Sequence, residues 1–402
     1  MSPALLLAAL LGSAQATPLV LRAARVLPVD GPEITDGVVI VDGGRVIAVG
    51  PAADVSVPEG AEVRDGAVLT PGLIDAWSTV GLTGPNNHPP DQDHAEGDRP
   101  VRPDLRALDA YHAADPLVGW VRGFGVTTVQ AGPSPGQPVS GRTLITRTAP
   151  GVVDELALTP DAFVVLSLGD VPKGRFGDAG SASRMGNAAT IRQALTDARD
   201  YQRRRTLRGA DQAPLDLGKE ALVDLLEGRR KALVHAHRAD DLLTALRLGR
   251  EFGLDLVLAG AAEGWLVADA LAQAGVPVLI GPVMARSWRD GEQRNSNFEN
   301  AALLADAGVP VAFMSGYEGY VPKVRVVLFE AAIAAANGLG ADRTLHALTL
   351  GAAEILDIAD ETGSITPGKS ADLVLYDGDP FEYASHACLV VSAGVVVSDA
   401  CR

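Results

Sequence analysis

Four of the chain's seven histidines fall in two stretches whose residue types could do chemistry. Residues 86–96 include His88, Asp91, Asp93, His94 and Glu96, two imidazoles and three carboxylates of the kinds that hold a divalent ion. The run Val234-His235-Ala236-His237 sets two more imidazoles at the end of an apolar stretch. A divalent ion held by three or more such groups lowers the pKa of a coordinated water from about 16 to about 7 and so supplies a nucleophile. Residues 86–96 also read as a polar, Pro-punctuated loop with no fixed ligand spacing, and both readings stay open. Other candidates read as structure. Asp240 and Asp241 suit the N-terminal cap of a helix. His112 and His346 lie in helical patterns, and His386 stands near a terminal hairpin. Residues 132–141 are Gly-rich but hold no Lys and open no clear helix, so they make no phosphate cradle, and no Ser there has nucleophile-elbow spacing.

These side chains need a scaffold, and the hydrophobic pattern describes one. Short apolar runs (residues 125–130, 163–168, 232–237, 254–258, 276–280 and 309–313) alternate with amphipathic stretches such as 240–252 and 264–274. Repeated strand-helix units across residues 71–356 predict a (β/α)₈ TIM-like barrel, whose function would sit at the C-terminal ends of its strands. Val-rich alternating runs in residues 17–70, broken at Asp42-Gly43-Gly44, predict half of a small β-sandwich, and residues 357–402 the other half, with the barrel inserted between them. Residues 388–398 predict a hairpin turning at Ala393-Gly394, whose arms bring Cys388 and Cys401 near enough for a disulfide. Two inert thiols are the alternative, because a bridge needs a Cα spacing of roughly 4.4–6.8 Å.

Hydrophobic residues at 47% and charged residues at 21% indicate a globular protein with a sizeable core. A net charge of −16 argues against nucleic acid as a partner, and Arg203-Arg204-Arg205 reads as a solvated helix face. The apolar run Ala4 to Leu11 followed by Ala14-Gln15-Ala16 reads as a signal peptide over residues 1–16, with export to the periplasm or beyond. That run is too short to span a bilayer, which takes roughly 20 apolar residues.

The segment Pro71-Gly72-Leu73-Ile74-Asp75-Ala76-Trp77-Ser78-Thr79 resembles the first-strand motif of the amidohydrolase superfamily, PGLIDAHxH. Ala347-Leu348-Thr349 through Leu356, followed by Gly363-Ser364-Ile365-Thr366-Pro367-Gly368-Lys369-Ser370-Ala371-Asp372-Leu373-Val374, is similar to the C-terminal signature of its imidazolonepropionase-like branch, and residues 183–189 resemble a helix start of exported members. The resemblance implies a hydrolase of C–N bonds in cyclic amides or dipeptides, with zinc or another divalent ion as cofactor. It also implies where the ligands should be, and most are replaced. The two first-strand histidines become Trp77 and Thr79. Val165 aligns with the fourth-strand lysine, Gly260 lies where the sixth strand should offer histidine, and Gly316, followed by Tyr317, takes the place of the eighth-strand aspartate that accepts the water's proton. Of the usual ligands His235 remains, with His237 as a substrate or supporting contact.

The expected protein is therefore a metal-free family member whose barrel mouth, lined by Trp77, Thr79, His235, His237, Gly260, Gly316 and Tyr317, keeps a pocket for a small molecule. One alternative is an active hydrolase with a relocated metal on His235, His88, Asp91, Asp93 and His94. The other is a structural subunit, in a homo-oligomer or beside an active paralogue.

Overall fold

The computed structural model describes residues 17–86, 88–176, 182–284, 292–317 and 326–401, so the segment read as a signal peptide lies outside the described residues. The chain opens with four strands, β1 (Leu19–Val26), β2 (Ile34–Asp42), β3 (Arg45–Pro51) and β4 (Glu62–Pro71). β1 pairs antiparallel with β2 and parallel with β4. The β2–β3 turn uses Gly43 and Gly44 at φ +55° and +80°, the left-handed backbone that a tight hairpin requires.

Ten strands follow: β5 (Leu73–Ser78), β6 (Val126–Ala131), β7 (Val139–Arg142), β8 (Leu144–Arg147), β9 (Ala157–Thr159), β10 (Val164–Ser167), β11 (Ala232–Ala236), β12 (Leu256–Gly260), β13 (Val278–Ile280) and β14 (Val311–Phe313). Hydrogen bonds order them as β5-β6-β8-β9 and β14-β13-β12-β11-β10-β7. Only Thr143 separates β7 from β8, so this stretch joins the two sheets as a single stave. The other seam closes where Ser78 bridges Gly316 and the Gly316 N–H donates to Trp77 O at 3.0 Å. The result is an eight-staved barrel. Its third stave, β7–β8, runs antiparallel to both neighbours, unlike the all-parallel ring of a regular TIM barrel. The chain returns from β6 through residues 132–138 alone, with no crossover helix to restore direction. Val165, Leu233, Val257, Ala259, Leu279 and Ala312 point inward and pack with Ile74, Ala76 and Trp77.

The chain ends with β15 (Leu373–Tyr376), β16 (Ala387–Ser392) and β17 (Val395–Ser398). β15 pairs antiparallel with β4, so both ends of the chain enter one sheet ordered β17-β16-β15-β4-β1-β2-β3. That sheet curls until Gly44 of the β2–β3 turn packs on Gly394 of the β16–β17 turn, with Ala371 between them donating its N–H to Gly44 O at 2.9 Å and accepting from Gly394 N at 3.0 Å. It encloses Leu21, Val39, Val46, Leu69, Ile365, Leu375 and Val391 as a sandwich-like core. The last hairpin turns at Ala393 and Gly394, and a disulfide joins Cys388 to Cys401. Among the described residues no helix is long and apolar enough to cross a membrane.

Two local readings need correction. The helix Ala239–Phe252 begins after Arg238, and no side chain at its start caps it. Asp240 pairs with Arg238 and Asp241 with Arg184, and the Glu263 carboxylate accepts the Ala239 N–H from outside the helix. His112 is exposed and precedes the helix Pro116–Arg122, because Asp115 at the N-cap and Pro116 at the first position set the start later. His346 is exposed on the helix Ala341–Leu348, and His386 bonds Asp377 beside the terminal hairpin.

Candidate functional site at the barrel mouth

β5 carries the first-strand motif into the barrel seam. Asp75 is fully buried and accepts hydrogen bonds from Ser315 N and Ser315 Oγ, and Ser315 Oγ also meets Ser78 Oγ at 3.1 Å. These three residues clasp the first stave to the eighth. Burial pushes the Asp75 carboxyl up to about 7, against the pull of its Ser315 hydrogen bonds.

Two residues further on, Trp77 is 2% exposed and fills the barrel axis. Gly132 makes the room: a Cβ there would lie 2.5 Å from Thr143 Cγ2 and 3.2 Å from Trp77 Nε1. The indole edge meets the His235 ring at 5.8 Å between centroids, and His235 stands perpendicular to His237 at 4.7 Å. Thr79 is buried and shares a hydrogen bond with Thr83 Oγ1. Burial, then the neighbouring His237, holds His235 well below the usual imidazole range, and burial lowers His237 to about 4. Both rings are neutral at physiological pH. Gln293 Nε2 lies 3.1 Å from His237 Nε2, and with that nitrogen accepting, the ring proton of His237 sits on Nδ1.

The strand register brings forward a residue that the sequence did not single out. His235 pairs with Ser167 on β10 and with Ala259 on β12, while Val165 lies one layer deeper, beside Leu233. Ser167 is thus level with His235 and faces inward, a position visible only once register is known. Trp77 Nε1, Ser167 Oγ, His235 Nδ1 and His237 Nδ1 are all buried without a hydrogen-bond partner. Each such orphan costs about 1–3 kcal/mol.

The loop donors divide. His94 turns inward, its ring stacked on Tyr317 at 4.4 Å and its Nδ1 2.7 Å from Ser134 Oγ, whereas His88, Asp91 and Asp93 are exposed. Gly260 and Gly316 hold left-handed backbone at φ +93° and +66°. A void of about 20 Å³ lies beside His237, between Gly260 and Pro282. A larger cleft of about 990 Å³ opens at the opposite end, beneath Lys231, Asp255, Pro277 and Pro310, which precede the strands.

The mouth's rim is charged and internally paired. Arg184, at the start of the helix Arg184–Arg205 capped by Ser183, reaches Asp170 at 3.0 Å, Asp241 at 2.9 Å and Glu292 at 3.0 Å. This ties together the segments after β10, β11 and β13. Burial pushes Glu292 up to about 7. The network was not legible in advance, because its four members come from distant parts of the chain.

Around His235 the described residues offer little else of the kind that ligates a divalent ion. Level with His235 stand a serine hydroxyl and an alanine, and an indole lies beside it. Among the described residues no three His, Cys, Asp or Glu side chains converge in ligating positions.

The fold and its signature segments define a class. The model of the amidohydrolase family matches residues 230–399. An amidohydrolase structure from Thermotoga maritima is 31% identical, covers 95% of this chain and 100% of its own, and superposes with a TM-score of 0.88. The imidazolonepropionase of Rhizorhabdus wittichii is 27% identical over 392 residues, covering 86% of this chain and 88% of that protein. The amidohydrolase tasK of Hapsidospora irregularis is 25% identical over 377 residues, and this chain spans 38% of its length. The chain belongs to the amidohydrolase family, in its imidazolonepropionase-like branch. Family members typically use a divalent metal such as zinc.

Proposed function

We propose that this chain is an amidohydrolase-family protein that works without the family's metal, and that its barrel mouth binds a small molecule instead of hydrolysing one. In this reading residues 1–16 are removed on export, residues 71–356 form the barrel, and residues 17–70 with 357–402 form the composite sheet domain. The observation that carries it is Trp77. An indole cannot ligate zinc, and this one is wedged against the single remaining ligand-type histidine, His235. With Gly316 in the base position, general-base assistance worth about 10²- to 10⁴-fold is lost as well.

The test is turnover of dipeptides and small cyclic amides by the mature protein, with added zinc and with a chelator. Rates at background in both support the proposal. Zinc-dependent turnover abolished by His235→Ala refutes it.

A further inference from the structure

The cleft of about 990 Å³ at the far end of the barrel from the mouth is as large as sites that take small molecules. It lies where the sheet domain meets the barrel. One wall is the β1–β2 loop with Leu27, Val29 and Glu33, the floor is the chain just before β11, β12, β13 and β14, and the other wall is the helices Ala341–Leu348 and Leu350–Ile355. We infer that this cleft binds a linear aliphatic amine with two or more ammonium groups, its methylene chain against the apolar lining and its ammonium groups on Asp255, Asp342 and Glu354. The cleft is separate from the barrel mouth, so the inference does not depend on whether a metal binds there.

The shape of the cleft is set by the fold. Leu27 N donates to Leu69 O at 2.9 Å and Pro28 O accepts from Ile365 N at 3.1 Å, which pins the loop to its sheet. Val29 is held there at φ +77°, a left-handed backbone that a β-branched residue takes only under constraint. The backbone of the floor is already used: the carbonyls of Asp255, Pro277 and Pro310 accept from Ala232, Leu258 and Val278, and the two prolines carry no N–H. Leu27, Val29, Val309, Leu339 and Leu345 supply apolar lining.

The charges decide the class of ligand. Two cations and four carboxylates line the cleft. Lys231 gives its ammonium to Asp357 Oδ1 at 2.7 Å and to Ile355 O at 3.0 Å, and Arg343 gives its guanidinium to Asp306, Leu339 O and Gly338 O. Glu33 is held by Arg25. Asp255, Asp342 and Glu354 remain, exposed and outside every ion pair among the described residues, with Arg25 acting on Asp342 only from a distance. An anion would meet these carboxylates in a chain of net charge −16, whereas a cation is drawn to them. Three free carboxylates suit more than one positive group. Among the described residues no Phe, Tyr or Trp lines the cleft, so there is no aromatic cage for a quaternary ammonium, and N–H donation to carboxylate favours a primary amine.

Calorimetric titration of the mature protein with 1,8-diaminooctane, its bis-trimethylammonium analogue, 1,8-octanediol and octanedioate tests this. The diamine is expected to saturate a single site per chain and to bind at least about tenfold more tightly than the other probes. Asp255→Asn and Glu354→Gln are each expected to weaken it by about threefold to tenfold, while Glu59→Gln, which removes an exposed carboxylate outside the cleft, is expected to leave it unchanged. Equal weakening by all three variants would reduce the binding to net charge and overturn the site, as would a diamine that does not saturate. Diol, octanedioate or the quaternary analogue binding as tightly as the diamine overturns the ligand class.

Discussion

Replacing Asp75 with asparagine should remove a pH dependence from the protein's stability. The carboxyl is fully buried in the seam between β5 and β14, and burial raises it from an ordinary 3.8 to about 7. The folded state then keeps a proton that the unfolded chain releases near pH 4. Stability from this group is complete below the unfolded value, falls as the pH rises toward 7, and is flat above it. A carboxyl raised that far costs the fold about 4 kcal/mol of stability between roughly pH 4 and pH 8. Asp75→Asn keeps the shape and the acceptor for Ser315 N, and its amide can donate to Ser315 Oγ. Wild type and variant are unfolded in denaturant at about pH 5 and pH 8, and their stability difference is compared between the two. The variant is expected to gain on wild type by about 3 kcal/mol at the higher pH. An unchanged difference would show that Asp75 is ionised throughout, and the account of the seam as a protonated clasp would be wrong.

Arg184→Gln should destabilise the fold by about 3–5 kcal/mol, because it leaves Asp241 and Glu292 without their cation and Asp170 with Lys173 alone. Adding Glu292→Gln should restore part of that loss in a double-mutant cycle read by denaturation, and no restoration would mean the groups are not coupled. Gly132→Ala should push the Trp77 indole aside at a cost of about 1–3 kcal/mol, seen as a shifted tryptophan emission and a lower melting temperature. Unchanged emission would contradict the placement of that ring. The protein purified without reductant should be two hydrogens lighter by intact mass than its reduced form, and Cys388→Ser should loosen the terminal hairpin by up to about 3 kcal/mol, the scale for so short a loop.

The sequence carried the fold well where burial imposes a pattern. Continuous apolar runs such as 232–236 and 256–260 are buried on both faces, and alternation marked the strands of the outer sheet. It could not show that β7–β8 is reversed, since Val139 to Arg147 reads the same in either direction and only the missing crossover helix gives it away. Register was the second blind spot. Ser167 is level with His235 because two strands pair that way, while Val165, the residue aligned with the family's lysine, lies one layer deeper. Rim contacts such as Arg184 with Glu292 join residues 108 positions apart, and nothing local specifies them. The motif around Trp77 was legible from the start, because a missing ligand inside an intact frame needs no structure to be noticed.

The most direct test of the central claim is the zinc content of the mature protein by mass spectrometry after dialysis against zinc, beside a family member that keeps its histidines. Less than about a tenth of an equivalent is the expected result, since a single imidazole binds the ion weakly. A full equivalent that disappears in His235→Ala would contradict it and make the barrel mouth a metal centre after all.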